Sequence, residues 1–261
     1  MGGTPARRPR RATRLLRFVG LGVVVLIVVG LAGFLVYAQP QPTLPEASAA
    51  LASDAEVAVT TAGRDLVFRP VQAIPSVGLI LYPGAKVPPT GYAPTARRIA
   101  AMSGALVVIV DVPFHFAVFD IDAPNRVIAT EPTITTWAVG GHSLGGAMAA
   151  QFVASHPGVV DGLVLWASYS AADLAAGDVE VLSIYGSLDA GLSTIRSDAN
   201  LTKLPPTTTY VEISGGNHEQ MGWYTGQPND PPATISRVEQ QNQLAIATAI
   251  FLAALGVAPG G

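Results

Sequence analysis

The sequence predicts an α/β architecture, in which a mostly parallel central sheet is flanked by helices. Short, unbroken apolar runs recur along the chain, and segments of helical composition separate several of them. Strands that are buried on both faces of a parallel sheet have such continuous runs instead of an alternating pattern. Composition agrees, because 49% of the residues are hydrophobic and only 13% are charged. That balance supplies a core and argues against a disordered chain.

The predicted elements alternate between the two kinds of segment, after an opening hairpin around Gly63. The last apolar stretch, Leu244–Val257, is too short for a membrane span, so we expect it to pack on the sheet. The predicted strands are residues 56–60, 66–69, 77–82, 105–112, 136–140, 162–168, 180–185 and 208–213. The predicted helices are residues 93–103, 144–155 and 234–255.

The N-terminal region predicts a membrane anchor. Residues 1–17 are basic, and residues 18–38 carry no charge over a length that can cross a bilayer. The arginines favour a cytoplasmic N-terminus, which places the rest of the chain outside a cell membrane that it spans once. The alternative is a signal peptide cut after Ala38, which would secrete the protein; the apolar run is longer than the usual signal core. Residues 39–45 are then a proline-rich linker, and residues 46–261 the folded domain.

Several classes of protein are disfavoured. The net charge is −3 and the basic residues form no cluster with aromatic ones, so no nucleic-acid partner is expected. The chain has no cysteine, which excludes disulfides, thiolate metal sites and a cysteine nucleophile. His218-Glu219 begins the zinc motif H-E-x-x-H, but Gly222 occupies its last position. No metal and no organic cofactor are predicted, and the sequence does not indicate an oligomeric state.

The stretch WAVGGHSLGGAMAAQF holds the strongest functional signal. Gly141-His142-Ser143-Leu144-Gly145 matches G-x-S-x-G, and it lies between a predicted strand and a predicted helix. Such a turn exposes a strained serine at the helix N-terminus, where free N–H groups can stabilise an oxyanion. The alternative is a glycine-rich turn with an incidental serine, which the position between strand and helix disfavours. Ser143 is therefore the candidate nucleophile.

A serine hydroxyl needs a base to act as a nucleophile. His142 lies inside the motif and is expected to point away from Ser143, and His156 ends the following helix as a surface residue. His115 follows a strand and is expected to line a cleft. His218 lies in SGGNHEQMGWY, directly after the last strand. Because this places it at the same sheet edge as the serine, His218 is the candidate base; the alternative is an exposed loop histidine.

The histidine in turn needs a carboxylate to orient it. Asp189 follows the strand EVLSIY in the turn GSLDAG, and Asp111 at the end of another strand is the second choice. An aspartate in a turn is common without any function. The order Ser143, Asp189, His218 nevertheless matches the order of this triad in proteins with a strand–G-x-S-x-G–helix unit.

These motifs resemble the α/β-hydrolases, and most closely the small bacterial branch related to dienelactone hydrolases, over about residues 56–255. The resemblance implies the α/β-hydrolase fold with a minimal lid, because little chain separates Ser168 from Glu180. It also implies an oxyanion hole formed by the backbone N–H groups of Ala85 and Leu144. Dienelactone hydrolases have cysteine where this chain has Ser143. The motifs are YPGAKVPPTGYAP, GGHSLGG, YGSLDAG and GGNHEQMGWY.

The expected function is hydrolysis of carboxylic esters through an acyl-enzyme. The substrate is a small-molecule or lipid-like acyl compound in a fairly open site, with Lys86 near the oxyanion hole. The alternatives are a thioesterase, a peptidase or an acyltransferase on the same scaffold, and an exported binding protein without catalysis. The residues expected to line the site are Phe114 and His115, within Pro113–Phe116, on one wall, and Met221, Trp223 and Tyr224 on the other.

Overall fold

The structure is a computed structural model that describes residues 10–257, with side chains from Phe18 onward. It divides into a first unit that ends at Gln39 and a second that begins at Pro40. The described part of the first unit contains one helix, α1 (Arg10–Tyr37). Its segment Phe18–Tyr37 has a mean hydropathy of 2.9, and is long and apolar enough to cross a membrane; a signal sequence has the same properties. Part of the predicted basic segment, residues 1–9, lies outside the described residues.

The second unit is built on a single sheet, and the predicted α/β fold is confirmed. Its spatial order is β1-β2-β4-β3-β5-β6-β7-β8. The strands β3 to β8 are all parallel to one another, whereas β2 is antiparallel to both of its neighbours, β1 and β4. The strands are β1 (Val57–Ala62), β2 (Asp65–Pro70), β3 (Val77–Tyr82), β4 (Leu106–Ile109), β5 (Thr136–His142), β6 (Gly162–Trp166), β7 (Glu180–Gly186) and β8 (Thr209–Ile213).

Helices cover both faces of the sheet. Two core clusters result: one packs α3 and α8 on one face, and the other packs α4 and α5 on the opposite face. Every residue of β3 is buried, with Leu79 in one cluster and Ile80 in the other, which explains its continuous apolar run. The helices are α2 (Pro45–Ala49), α3 (Ala93–Ser103), α4 (Ala123–Thr130), α5 (Leu144–Ser155), α6 (Leu192–Ile195), α7 (Asp198–Leu201) and α8 (Arg237–Gly256).

Local sequence signals explain where these helices end and begin. Gly104 ends α3 in the left-handed conformation, with φ 68°, which glycine adopts without steric cost. Ser236 caps α8 by accepting a hydrogen bond from the N–H of Glu239. The connection between β6 and β7, residues 167–179, contains no helix, in agreement with a minimal lid.

The structure differs from the expected domain boundary. Residues 39–45 were expected to form a linker, but the second unit begins at Pro40 and this segment pairs with it. Thr43 forms an antiparallel bridge with Tyr224, and the N–H of Gln41 donates to the carbonyl of Lys86 at 2.8 Å. The prolines keep the segment extended, and backbone groups of Gln41, Pro42 and Leu44 form hydrogen bonds with loops that are distant in sequence.

Because the strands β3 to β8 are parallel, the candidate site residues lie at one edge of the sheet. The carboxyl ends of β3, β4, β5, β7 and β8 all point the same way, so the loops that follow them converge. These loops carry Ala85, Asp111, Ser143, Asp189 and His218.

Candidate active site

Ser143 occupies a tight, strained turn between β5 and α5. Its φ of 53° and ψ of −122° lie in a region that side chains other than glycine rarely adopt. A Cβ at position 145 would come within 2.4 Å of the carbonyl oxygen of Pro83, and one at position 141 within 2.6 Å of that of Tyr82. The motif glycines are therefore required because the elbow packs directly against the end of β3.

Two hydrogen bonds hold the backbone of Ser143 in this conformation. Its N–H donates to the carbonyl of Trp166 at 3.0 Å, and its carbonyl accepts from the hydroxyl of Ser168 at 2.6 Å. The Oγ of Ser143 itself has no hydrogen-bond partner among residues 10–257. The hydroxyl therefore has no competing protein contact, and hydrogen bonds of catalytic groups often tighten only once substrate is bound.

His218 is paired with Asp189, the aspartate that the sequence favours. Its Nδ1 lies 3.0 Å from Oδ1 and 3.1 Å from Oδ2 of Asp189. The side chain of His218 is 8% exposed and that of Asp189 is fully buried. Because a carboxylate only accepts hydrogen bonds, Nδ1 carries the proton and Nε2 is left as an acceptor. The second choice, Asp111, lies instead beside His115, with 3.6 Å between Oδ1 and Nδ1.

His218, the candidate base, lies next to the elbow. The ring centroids of His218 and His142 are 4.5 Å apart, and His142 precedes Ser143 in the chain. His142 is almost fully buried, whereas a residue in an ordinary surface turn is exposed to solvent. The structure thus places His218, which is paired with Asp189, against the residue that precedes Ser143 in the elbow.

Sequence reasoning missed Asp230, whose carboxylate joins the two loops that carry Asp189 and His218. Its Oδ1 accepts from the N–H groups of Ala190, at 3.3 Å, and His218, at 3.2 Å, and its Oδ2 from that of Glu219 at 2.8 Å. An acidic residue beside Pro231 in a loop gives no local signal for such contacts. Asp230 therefore fixes the loops that carry Asp189 and His218 relative to one another.

The loop after β3 is tied to the elbow by Tyr92, which sequence reasoning also missed. The hydroxyl of Tyr92 accepts from the N–H of Gly84 at 3.0 Å and lies 2.8 Å from Nδ1 of His142. Burial raises the pKa of Tyr92, so this hydroxyl keeps its proton and donates it to His142. One buried hydroxyl therefore fixes the loop and the tautomer of His142 together.

We expect Tyr92→Phe to lower the free energy of unfolding by about 1–3 kcal/mol, because it leaves two buried polar groups without a partner. Urea denaturation, compared with Tyr169→Phe at an exposed ring, measures the difference. Equal losses in the two variants would contradict the role given to the Tyr92 hydroxyl.

The ionisation of His142 gives a second prediction. Burial, followed by the neighbouring His218, holds the pKa of His142 well below its usual value of 6.5. Below about pH 6.5, His142 is protonated in the unfolded chain but stays neutral in the folded one. The free energy of unfolding should therefore fall by up to about 1.4 kcal/mol for each unit by which the pH is lowered. His142→Asn keeps an acceptor near the Tyr92 hydroxyl and should flatten this slope in pH-dependent urea denaturation.

His156→Asn is the control for that measurement, because His156 lies on the surface-facing end of α5 with its Nε2 3.5 Å from Asp122. The same slope in wild type and His142→Asn would show that His142 titrates normally in the folded state.

The two N–H groups expected to form the oxyanion hole have no acceptor recorded within the described part of the chain. The neighbouring amides of Ala85 are occupied, since that of Gly84 donates to Tyr92 and that of Lys86 to the carbonyl of His115 at 2.8 Å. Leu144 is the first residue of α5, where an N–H has no intrahelical acceptor. Both amides are therefore available for a bound oxygen atom.

The residues expected to line the site divide into two groups. Phe114 and His115 form a strained loop with φ values of 55° and 57°, and Phe114 is half exposed. Trp223 is partly buried and its backbone N–H donates to the carbonyl of Gly91. Met221 and Tyr224 are fully buried core residues, so the expectation that they form a wall of the site is wrong.

Metal ligands are not grouped anywhere that the structure describes: residues 10–257 contain no cluster of three or more histidines, aspartates or glutamates placed to hold an ion. The polar groups at the candidate site are a hydroxyl, an imidazole and a carboxylate at one sheet edge, of which the imidazole of His218 and the carboxylate of Asp189 are paired.

Comparisons with known proteins agree with this geometry. The sequence profile described as "Alpha/beta hydrolase family" matches residues 78–242. None of the curated protein sequences matches the chain. Among solved structures, an esterase from Pyrobaculum calidifontis is similar, with a TM-score of 0.61 and 19% identity over 81% of this chain and 89% of the esterase.

Two further solved structures have the same fold. Carboxyl esterase 2 from the mycorrhizal fungus Tuber melanosporum has a TM-score of 0.58 and 13% identity, covering 78% of this chain and 89% of its own. A thermostable carboxylesterase from a metagenomic library, EstE1, has a TM-score of 0.61 and 17% identity, covering 80% and 93%. At such identities the likeness concerns the fold alone. The closer relation to dienelactone hydrolases stays a prediction.

Proposed function

Because the chain belongs to the alpha/beta hydrolase family, we propose that it is a serine hydrolase that cleaves carboxylic-ester bonds through an acyl-enzyme. The observation that carries this proposal is the buried pair of His218 and Asp189 beside the strained elbow of Ser143. The similar solved structures named as esterases support the choice of ester bonds.

In the first half of the reaction, the Oγ of Ser143 attacks the carbonyl carbon of the ester while Nε2 of His218 takes the hydroxyl proton. Asp189 stabilises the imidazolium ion that forms. The carbonyl oxygen becomes an oxyanion and accepts hydrogen bonds from the N–H groups of Ala85 and Leu144. His218 then gives its proton to the alkoxide oxygen as that C–O bond breaks, and the alcohol leaves.

In the second half, water attacks the acyl-enzyme. Nε2 of His218 takes a proton from the water, and a second oxyanion forms in the same hole. When the bond to Oγ breaks, His218 returns the proton to Ser143 and the carboxylic acid is released. This cycle uses only groups of the chain and water.

The substrate is proposed to be a small-molecule or lipid-like acyl ester. The short connection between β6 and β7 contains no helix that could form a lid over the site, which suits an ester that approaches from outside. Phe114, His115 and Trp223 are proposed to line the site, and Lys86 lies beside the proposed hole. An apolar site with few polar groups is typical of small-molecule pockets.

We also propose that Phe18–Tyr37 is a retained anchor with the N-terminus in the cytoplasm, so that the catalytic domain lies outside the cell membrane. Its length and composition, together with the basic residues before it, support this placement. Membrane fractionation and the mass of the recovered chain test it, because a chain that lacks residues 1–38 and is found in the medium would show a cleaved signal.

A substrate panel tests the reaction. We expect the full chain to hydrolyse p-nitrophenyl esters faster than acyl thioesters or aminopeptidase substrates. Preference for thioesters would instead indicate a thioesterase, and preference for peptides a peptidase. Formation of a new ester with added alcohol would indicate an acyltransferase. No turnover of any substrate, with no fluorophosphonate labelling, would indicate a binding protein.

A further inference from the structure

The chain enters the second unit at the rim of the candidate site. The N–H of Gln41 donates to the carbonyl of Lys86, next to Ala85, at 2.8 Å. The N–H of Leu44 donates to the carbonyl of Trp223, five residues after His218, at 2.9 Å. The side chain of Gln41 is buried and donates to the carbonyl of Gly226 at 3.2 Å. The first residues of the unit are thus fixed to both loops that border the site.

Little chain separates this attachment from the apolar segment. Phe18–Tyr37 ends four residue steps before Gln41, and four fully extended steps reach about 14 Å. The headgroup layer on one side of a bilayer is about 5–8 Å thick. A bilayer that holds the apolar segment therefore cannot be far from the rim to which Gln41 is bound.

The rim carries apolar side chains that suit this position. The segment Pro113–Phe119 is joined to the Lys86 loop by the hydrogen bond from the N–H of Lys86 to the carbonyl of His115. Phe114, Val118 and Phe119 in this segment are 50%, 43% and 52% exposed. Aromatic and apolar groups at a protein surface beside a site are typical of membrane contact.

We propose that the rim formed by Pro113–Phe119, the Lys86 loop and Gln41–Leu44 lies against the membrane surface, and that the site takes its ester from the bilayer. The substrate class is then an acyl ester whose hydrocarbon chains are held in the membrane. The chemistry rests on the proposed serine hydrolase function, whereas the position of the rim rests on the length of the tether and on the exposed apolar side chains.

The absence of native cysteine makes the position of the rim directly measurable. Val118→Cys and Val159→Cys in the full chain receive a single environment-sensitive fluorophore. Val159 is 40% exposed and precedes β6, at the opposite edge of the sheet. Both proteins are reconstituted into phosphatidylcholine–phosphatidylglycerol vesicles that contain nitroxide-labelled lipid. We expect strong quenching at position 118 and little at position 159; equal quenching would overturn the proposal.

A charge at the same position tests the source of the substrate. We expect Val118→Asp to lose about five- to tenfold in turnover of a fluorogenic diacylglycerol ester embedded in the vesicles, because the variant loses an apolar contact and its carboxylate is repelled by the anionic vesicle surface. Val159→Asp should leave that rate unchanged, and both variants should hydrolyse soluble p-nitrophenyl butyrate as the wild type does.

The outcomes separate the two proposals. If neither ester is hydrolysed by the wild type, the proposed function fails while the quenching still reports where the rim lies. If the soluble ester is cleaved but the embedded ester is not, or if Val118→Asp cleaves the embedded ester as fast as Val159→Asp, the bilayer is not the source of the substrate. Recovery of a chain that lacks residues 1–38 would remove the tether and overturn the membrane position.

Discussion

Ser143→Ala is expected to reduce ester turnover by on the order of 10⁴-fold or more, because the variant has no nucleophile at the elbow. The Oγ makes no hydrogen bond within the described residues, so its removal should leave the melting temperature nearly unchanged. Steady-state hydrolysis of p-nitrophenyl butyrate and differential scanning calorimetry measure the two effects. Full activity in this variant would rule out Ser143 as the nucleophile.

Ser143→Gly separates the chemistry from the strain of the backbone. It should be as inactive as Ser143→Ala, yet more stable than that variant by about 1–2 kcal/mol, because glycine adopts a positive φ without steric cost. The φ of 53° at this position is the basis of that expectation. Equal stability of the two variants would show that the turn stores no strain.

Asp189→Asn is expected to lower kcat for the same ester by about 10²–10⁴-fold, because an amide can donate to Nδ1 and favour the wrong tautomer of His218. The carboxylate accepts hydrogen bonds from Nδ1 and from the N–H of Gly191 at 2.6 Å, so its position is well fixed. The pH dependence of kcat/KM, measured alongside, would report the group that titrates in the free enzyme.

Asp111→Asn is the matched control for that variant. Asp111 also follows a strand at this sheet edge, but its carboxylate is 31% exposed and faces His115. We expect at most a small change in kcat. A large loss in Asp111→Asn, with little change in Asp189→Asn, would exchange the two assignments.

Much of the fold could be predicted from local patterns. The boundaries of β3, α3 and α5 coincide with the predicted ones, because a proline-glycine pair, Gly104 and the elbow mark their ends. The predicted strand 105–112 is too long, since Ala105, Val110 and Val112 are apolar and buried but lie outside the strand Leu106–Ile109. Apolar composition indicates burial, and burial alone does not require a strand.

Other features have no local signal. The helix α4, Ala123–Thr130, is short and begins beside a proline, so its sequence does not stand out from a loop. The pairing of Thr43 with Tyr224 joins residues that are distant in the chain. Without knowledge of that partner, a proline-rich segment is interpreted as a linker. Tyr92 and Asp230 act through side-chain hydrogen bonds to other loops. Sequence periodicity reports burial and secondary structure, but not such contacts.

The central claim is that Ser143 is a nucleophile activated by His218 and Asp189. The most direct measurement is reaction of the full chain with a fluorophosphonate, followed by mass spectrometry of the modified peptide. The account predicts one adduct, on Ser143, and strongly reduced labelling in a His218→Ala variant. An adduct on another residue, or unmodified Ser143 in a preparation that hydrolyses esters, would contradict it.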